Sequence, residues 1–228
     1  MREIVLDTET TGLDPLQGHR LVEIGAVELF NHIPTGNTYH TFINPQRDVP
    51  REAEAVHGLS VEFLKDKPVF AQIAGEFLEF IGETVLIIHN ASFDVGFLNS
   101  ELGFIKRPPI LHERIIDTLT LAKKRHPMGP NSLDALCKRY GIDIAKRTKH
   151  GALLDSELLA SVYLELIGGR QIALTLPKTD NVRQLQTGNR PSQTMRTSAL
   201  PERITHEEKE RHEALVKSLG AGALWKMS

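Results

Sequence analysis

Between Pro177 and Pro201 the chain has no aromatic residue and only scattered aliphatic ones among Lys, Asp, Asn, Gln, Thr and Ser. Such a stretch cannot bury enough apolar surface to fold by itself, and it reads as a flexible linker. A core in this 228-residue chain must therefore come mainly from what precedes it. The patterning there supplies one. From Phe70 the apolar positions Phe70, Ile73, Ala74, Phe77, Leu78 and Ile81 fall at helical spacing, Gly82 closes that helix, and Val85 to Ile88 follows as a strand. Arg2 to Thr8 alternates about Ile4 and Leu6, and Leu21 to Phe30 carries Val22, Ile24, Ala26 and Val27 after a loop containing Gly12, Pro15 and Gly18. With Thr38 to Ile43 as a third β segment, these spacings predict an antiparallel meander at the start of the fold. Helical patterns recur over Val95 to Leu102, Thr118 to Arg125, Ser132 to Tyr140 and Ala152 to Ile167, with Ile115 and Ile116 as a short strand between them. The class is α/β: a mixed sheet flanked by helices, with a flexible C-terminal tail.

Gly168-Gly169 ends the last of these helices, so the expected folded domain is residues 1–169, and the linker spans 177–201. Residues 202–228 open on Thr205 and Glu208, a capping-box pair, and continue through Ala214, Leu215, Leu219 and Leu224 to the single tryptophan, Trp225. A helix this short is marginal alone, and a partner surface is expected to receive it. Charge divides along the same line. Residues 170–228 carry 10 Lys and Arg against 6 Asp and Glu, whereas the first 169 carry 17 against 23. An acidic body argues against nucleic-acid binding by massive phosphate neutralisation, but suits a site that gathers carboxylates around cations. No apolar run approaches the roughly 20 residues a bilayer needs. The start opens directly into a strand pattern with no secretion or anchoring signal. The single cysteine, Cys137, excludes an internal disulfide, and a reducing cytoplasmic setting is expected.

Asp7 and Glu9 stand two apart at the end of a predicted strand, which projects both carboxylates to one face. Such a pair is either a solvated strand edge or a ligand set for hard divalent cations such as Mg²⁺ or Mn²⁺. Asp94 lies where the run from Leu86 to Phe93 passes from strand to helix start; an acid there is also a favourable dipole partner. His150 and Asp155 are five apart, about 500° of helix, so they share a face only if His150 lies in the loop before the helix that carries Asp155. A histidine beside a metal-bound acid suits general-base work; taken alone, the pair reads by default as a solvent-facing histidine.

Taken in order, Asp7-Thr8-Glu9-Thr10-Thr11-Gly12-Leu13, His89-Asn90-Ala91-Ser92-Phe93-Asp94 and His150 with Asp155 resemble the DEDD family of 3′–5′ exonucleases. The resemblance covers roughly residues 2–168 and implies a ribonuclease H-like fold. One branch of that family places Tyr four residues before the last Asp, the other His five before it. Here those positions are Gly151 and His150, the pattern of the His branch. The family chemistry implies two divalent metal ions, Mg²⁺ or Mn²⁺, held by Asp7, Glu9, Asp94 and Asp155, with Asp7 serving both. His150 is implied as the general base, and nucleoside 5′-monophosphates as the product. The segments Glu52 to Leu59, Asn131 to Cys137 and His150 to Asp155 resemble most closely the members that proofread for bacterial replicative polymerases. That likeness puts Thr10, Gly12, Leu13, Glu52 and His57, together with Asp7, Glu9 and Asp155, against the terminal nucleotide of a single-stranded or frayed 3′ DNA end. Asp14, Asp117, Asp134 and Asp143 fall outside the pattern, and Asp117 reads as a cap of the helix that begins at Thr118.

The tail adds a second resemblance. Gln171, Leu174 and Leu176, within residues 170–176, match a Gln-x-x-Leu-x-Leu peptide by which replication proteins dock on a sliding clamp. The segment containing Leu215, Leu219 and Trp225 resembles one that docks on a polymerase subunit, and a small accessory subunit is a further partner of such proteins. Two other functions share these features: an RNA-trimming exoribonuclease with the same five residues, and a structural linker between polymerase and clamp.

Overall fold

The computed structural model describes residues 1–145, 149–168 and 204–219. It separates into two units, Met1–Leu174 and Thr175–Ser228. In the first unit, β1 (Arg2–Thr10), β2 (Leu21–Phe30) and β3 (Ile33–Phe42) precede α1 (Arg51–His57), α2 (Val61–Leu64) and α3 (Phe70–Ile81). Then come β4 (Val85–Ile88), α4 (Ala91–Phe104), β5 (Ile115–Asp117), α5 (Thr118–Arg125), α6 (Leu133–Tyr140) and α7 (Ala152–Leu166).

The sheet order is β3-β2-β1-β4-β5. The meander β1-β2-β3 is antiparallel, whereas β4 pairs parallel with β1 and β5 parallel with β4. Helices cover both faces, so β1 and β4 are buried on both sides and carry continuous apolar runs. Ile4, Leu6, Ile24, Leu86 and Ile88 pack with Phe70 and Phe77 of α3 and Phe97 and Leu98 of α4. On the other face Val5, Val27, Leu29 and Ile87 meet Leu159, Ala160 and Tyr163 of α7, and α7 continues through Leu158 and Val162 against Ala122, Leu136 and Cys137. Each fully buried Phe or Leu contributes about 1.5–3 kcal/mol. Odd positions of β1 therefore face α7, and even positions face α3 and α4.

α3, β4 and α5 occupy the spans that periodicity and capping predict. Other elements differ. β3 begins at Ile33 rather than Thr38, because this edge strand is exposed over most of its length and shows no apolar alternation. α4 begins at Ala91 rather than Val95; it buries Ala91, Asp94, Phe97, Leu98, Glu101 and Leu102 on more than one side, which hides its period. α1 and α2 are short helices that the apolar pattern does not mark, and Pro50 begins α1 without a side-chain cap.

In the second unit α8 (His206–Leu219) starts from the expected capping box: Thr205 N–H donates to Glu208 Oε2 at 2.8 Å, and Glu208 N–H donates to Thr205 Oγ1 at 3.3 Å. The linker, the 170–176 peptide and Trp225 lie outside the described residues. No helix among the described residues is long and apolar enough to cross a membrane.

Candidate active site

Three elements deliver the predicted acids to one place. Asp7 and Glu9 end β1 on its α7-facing side, Asp94 lies in the first turn of α4, and Asp155 lies in the first turn of α7. Their approach depends on Gly25. Gly25 pairs with Asp7 across the β1–β2 ladder, and a Cβ there would collide with the backbone of Ala152 and Leu153. The start of α7 thus rests directly on the sheet beside Asp7, and Ser156 Oγ fastens it by donating to Gly25 O at 2.9 Å. Glycine inside a strand often marks such a close approach, a signal the sequence offers at Gly25.

His150 precedes α7 in coil, where its N–H donates to Val56 O at 3.3 Å and its Nδ1 lies 3.2 Å from Asp155 Oδ2. Asp155 is buried, while the His150 side chain is 46% exposed. Glu9, His150 and Asp155 each offer a ligand atom within 4.8 Å of the other two. Thr8, between the two β1 acids, faces the opposite way and donates its hydroxyl to Asp94 Oδ1 at 2.7 Å. That role has no sequence signal of its own.

The electrostatics of the cluster point to its chemistry. Burial, and then the charges of Asp94, Glu9, Asp155 and Glu23, hold the Asp7 carboxyl well above the usual carboxylate range. Burial pushes Asp94 up to about 7 against the opposing hydrogen bond from Thr8. Carboxylates gathered at this cost are stabilised by a cation, and their oxygen donors suit a hard divalent ion.

Beside the acids is a cavity of about 580 Å³ lined by Glu9, Thr10, Gly12, Leu13, Glu52 and His57 among others. The predicted substrate contacts Thr10, Gly12, Leu13, Glu52 and His57 therefore share one wall system. His57 is the buried last residue of α1; its Nδ1 accepts from Leu59 N–H at 3.0 Å, and burial lowers its pKa. Leu13 is 85% exposed at the rim. The loop from β1 to β2 is shaped by His19, whose ring occupies the space a Cβ on Gly12 would need. Thr11 Oγ1 lies 3.2 Å from His19 Nδ1. His19 and Phe93 also line the cavity and were not among the sequence candidates.

Asp14, Asp117 and Asp143 accept local backbone N–H groups, from Leu16, Leu119 and Ala145 respectively, and Asp134 lies in the first turn of α6. Gln171, Leu174, Leu176 and Trp225 lie outside the described residues. Leu215 and Leu219 are on α8, 58% and 50% exposed.

Comparison with known proteins agrees with this architecture. A family model described as Exonuclease matches residues 4–163. DNA polymerase III subunit epsilon of Rickettsia felis is 49% identical over 96% of this chain and 97% of its own length. The protein of that name from Escherichia coli K12 is 44% identical over 99% of this chain and 97% of its own. Among solved structures, exonuclease X in complex with 5′ overhanging duplex DNA superposes with a TM-score of 0.58 at 25% identity, covering 72% of this chain and 90% of that one. The sheet and its flanking helices form the ribonuclease H-like fold.

Proposed function

The chain belongs to the exonuclease family and, within it, to the DNA polymerase III epsilon subunits, and on that premise we propose how its residues perform the 3′–5′ proofreading hydrolysis of DNA. The observation that carries the proposal is the convergence of Asp7 and Glu9 from β1, Asp94 from α4 and Asp155 from α7, with His150 at 3.2 Å from the last. The donor set fits divalent metal. We assign Asp7, Glu9, Asp94 and Asp155 as the residues that would hold two divalent ions, Mg²⁺ or Mn²⁺. When bound, these ions supply Lewis acidity at both ends of an in-line displacement at phosphorus.

The remaining work belongs to the chain. His150 is the general base: with Nδ1 committed to Asp155, Nε2 takes the proton of the attacking water. Half-exposure lets the ring pass that proton to solvent. Thr10 and Gly12 hold the terminal sugar, Leu13 contacts its base at the cavity rim, and Glu52 and His57 complete the nucleotide pocket. A cavity of about 580 Å³ is within the ordinary size range for a small-ligand site. The 3′-terminal nucleotide leaves as its 5′-monophosphate.

The division of labour along the chain follows. Residues 1–169 carry the chemistry, Gln171, Leu174 and Leu176 bind the sliding clamp, 177–201 tether, and 202–228 bind the polymerase alpha subunit through Leu215, Leu219 and Trp225. The assembly works in the cytoplasm. The likeness to epsilon subunits over nearly the whole chain, tail included, supports this reading over an RNA-trimming enzyme or a purely structural linker. Asp7→Ala tests it: nuclease activity in Mg²⁺ falls to background while circular dichroism shows an intact fold. Near-normal activity in that variant would contradict the assignment.

A further inference from the structure

The aim of Asp94 depends on a turn that the chain must hold in an unusual conformation. α4 leaves β4 through His89 and Asn90, and Asn90 has φ 61°, a left-handed backbone that few residues other than glycine adopt, asparagine more readily than most. A turn of this kind persists only where its surroundings fix it. Here they come from the neighbouring strand. Asp117, which pairs with Ile88 in the parallel ladder, accepts the Asn90 N–H on Oδ1 at 3.0 Å. The same oxygen accepts Leu119 N–H at 2.9 Å, and Oδ2 accepts the Thr120 hydroxyl at 2.9 Å, so the carboxylate is anchored before it reaches across. Thr118 adds two further links: Oγ1 lies 2.9 Å from His89 Nδ1 and donates to Ile88 O at 3.3 Å. Three hydrogen bonds thus join the β5–α5 junction to the β4–α4 junction. Asp94 is the fourth residue of α4, and its direction follows from how that helix starts.

We propose that Asp117 is a positioning residue for the metal ligand Asp94: by holding the Asn90 N–H it fixes the left-handed turn from which α4 begins. Capping α5, its evident role, anchors the carboxylate for the second task. The function requires an acceptor oxygen at Asp117 and a left-handed residue at 90. The inference rests on the metal-site assignment above, because what it explains is the placement of one ligand.

The test is calorimetric titration of the full-length protein with Mn²⁺ in the absence of DNA, beside nuclease rates at rising Mn²⁺. Asp117→Ala weakens Mn²⁺ binding by about tenfold, the lower end for the loss of an outer partner of a ligand, and higher Mn²⁺ restores its rate. Asp117→Asn keeps an acceptor oxygen and binds Mn²⁺ like the parent. Ser132→Ala removes the corresponding cap of α6, where Ser132 Oγ accepts Ala135 N–H at 3.3 Å, and it too binds like the parent. Parent-like affinity in Asp117→Ala, or equal weakening in Ser132→Ala, would overturn the proposal. If Asp117→Ala does not fold, the other end of the link decides. Asn90→Gly keeps the N–H and reaches positive φ freely, so it retains affinity, while Asn90→Ala loses it; equal affinities would overturn the proposal. A parent protein that binds no Mn²⁺ would overturn both this inference and the metal-site assignment, whereas a binding parent with an unchanged Asp117→Ala variant strikes at this inference alone.

Discussion

β1 and the segment running from His150 into α7 both bring side chains to the same cluster, and the fold holds them in opposite ways. β1 is a central strand with Ile4, Val5 and Leu6 fully buried and with pairing partners on both sides. Asp7 and Glu9 continue that rigid strand. His150 lies in coil, where its N–H donates to Val56 O and its ring meets Asp155, with its side chain about half exposed. Mutually repelling carboxylates need a scaffold that cannot relax away from them, and the core provides it. A proton carrier needs access to water, and the loop provides that.

The largest effect that would sharpen this contrast is at His150. His150→Ala should lower kcat by about 10²- to 10⁴-fold while leaving thermal stability and metal binding near parental values. Parental turnover would place the base elsewhere. Next comes Gly25, where the two arms touch. Gly25→Ala should force α7 off the sheet and displace Asp155, with a rate loss on the order of 10²-fold from misplacement and a stability loss of roughly 1–3 kcal/mol. Denaturant melts beside single-turnover rates would show whether the two losses occur together; a stable, active variant would break the link between close approach and ligand placement.

A smaller effect, of opposite sign, is expected from Asp7→Asn in EDTA. An acid whose folded-state pKa is raised costs stability as pH rises from its unfolded value toward the folded one, and the cost persists above it. Asp7 is such a group, so the neutral amide should raise the melting temperature of the metal-free protein at pH 7. A rise of roughly 2–4 °C corresponds to about 1 kcal/mol in a chain of this size. Added Mg²⁺ should stabilise the parent more than the variant, and a lower melting temperature in EDTA would show that the acids are not in conflict. The smallest effect concerns the tail. Deleting residues 202–228 should leave hydrolysis of single-stranded DNA unchanged while releasing the polymerase alpha subunit, because in the proposed division residues 177–201 serve only to tether two separate parts. Loss of hydrolysis in that deletion would mean that the tail belongs to the catalytic body.

Sequence legibility followed the same physical division. α3 was readable because one face is apolar and Gly82 ends it; α1, seven residues with Arg51, Glu52 and Glu54 among them, has no stripe to read. The spacing of Asp7 with Glu9 marked two acids on one strand face, and that of His150 with Asp155 marked a loop histidine that could reach an acid in the first turns of a helix. The contacts that make them meet join residues far apart in sequence. Gly25 against Ala152, Thr8 with Asp94, and Asp117 with Asn90 depend on how β1, β2, β4 and β5 stack beside one another. Gly25 left a local trace as a glycine within a strand. Thr8 and Asp117 left none that separates these roles from ordinary strand and cap positions.

The most direct measurement is digestion of a primer–template with a mispaired 3′ terminus by the purified protein, resolved nucleotide by nucleotide, in Mg²⁺ and in EDTA. The account expects stepwise shortening from the 3′ end with release of nucleoside 5′-monophosphates, dependent on Mg²⁺ and absent in Asp7→Ala. Internal cleavage, 3′-monophosphate products, or equal activity in EDTA would contradict it.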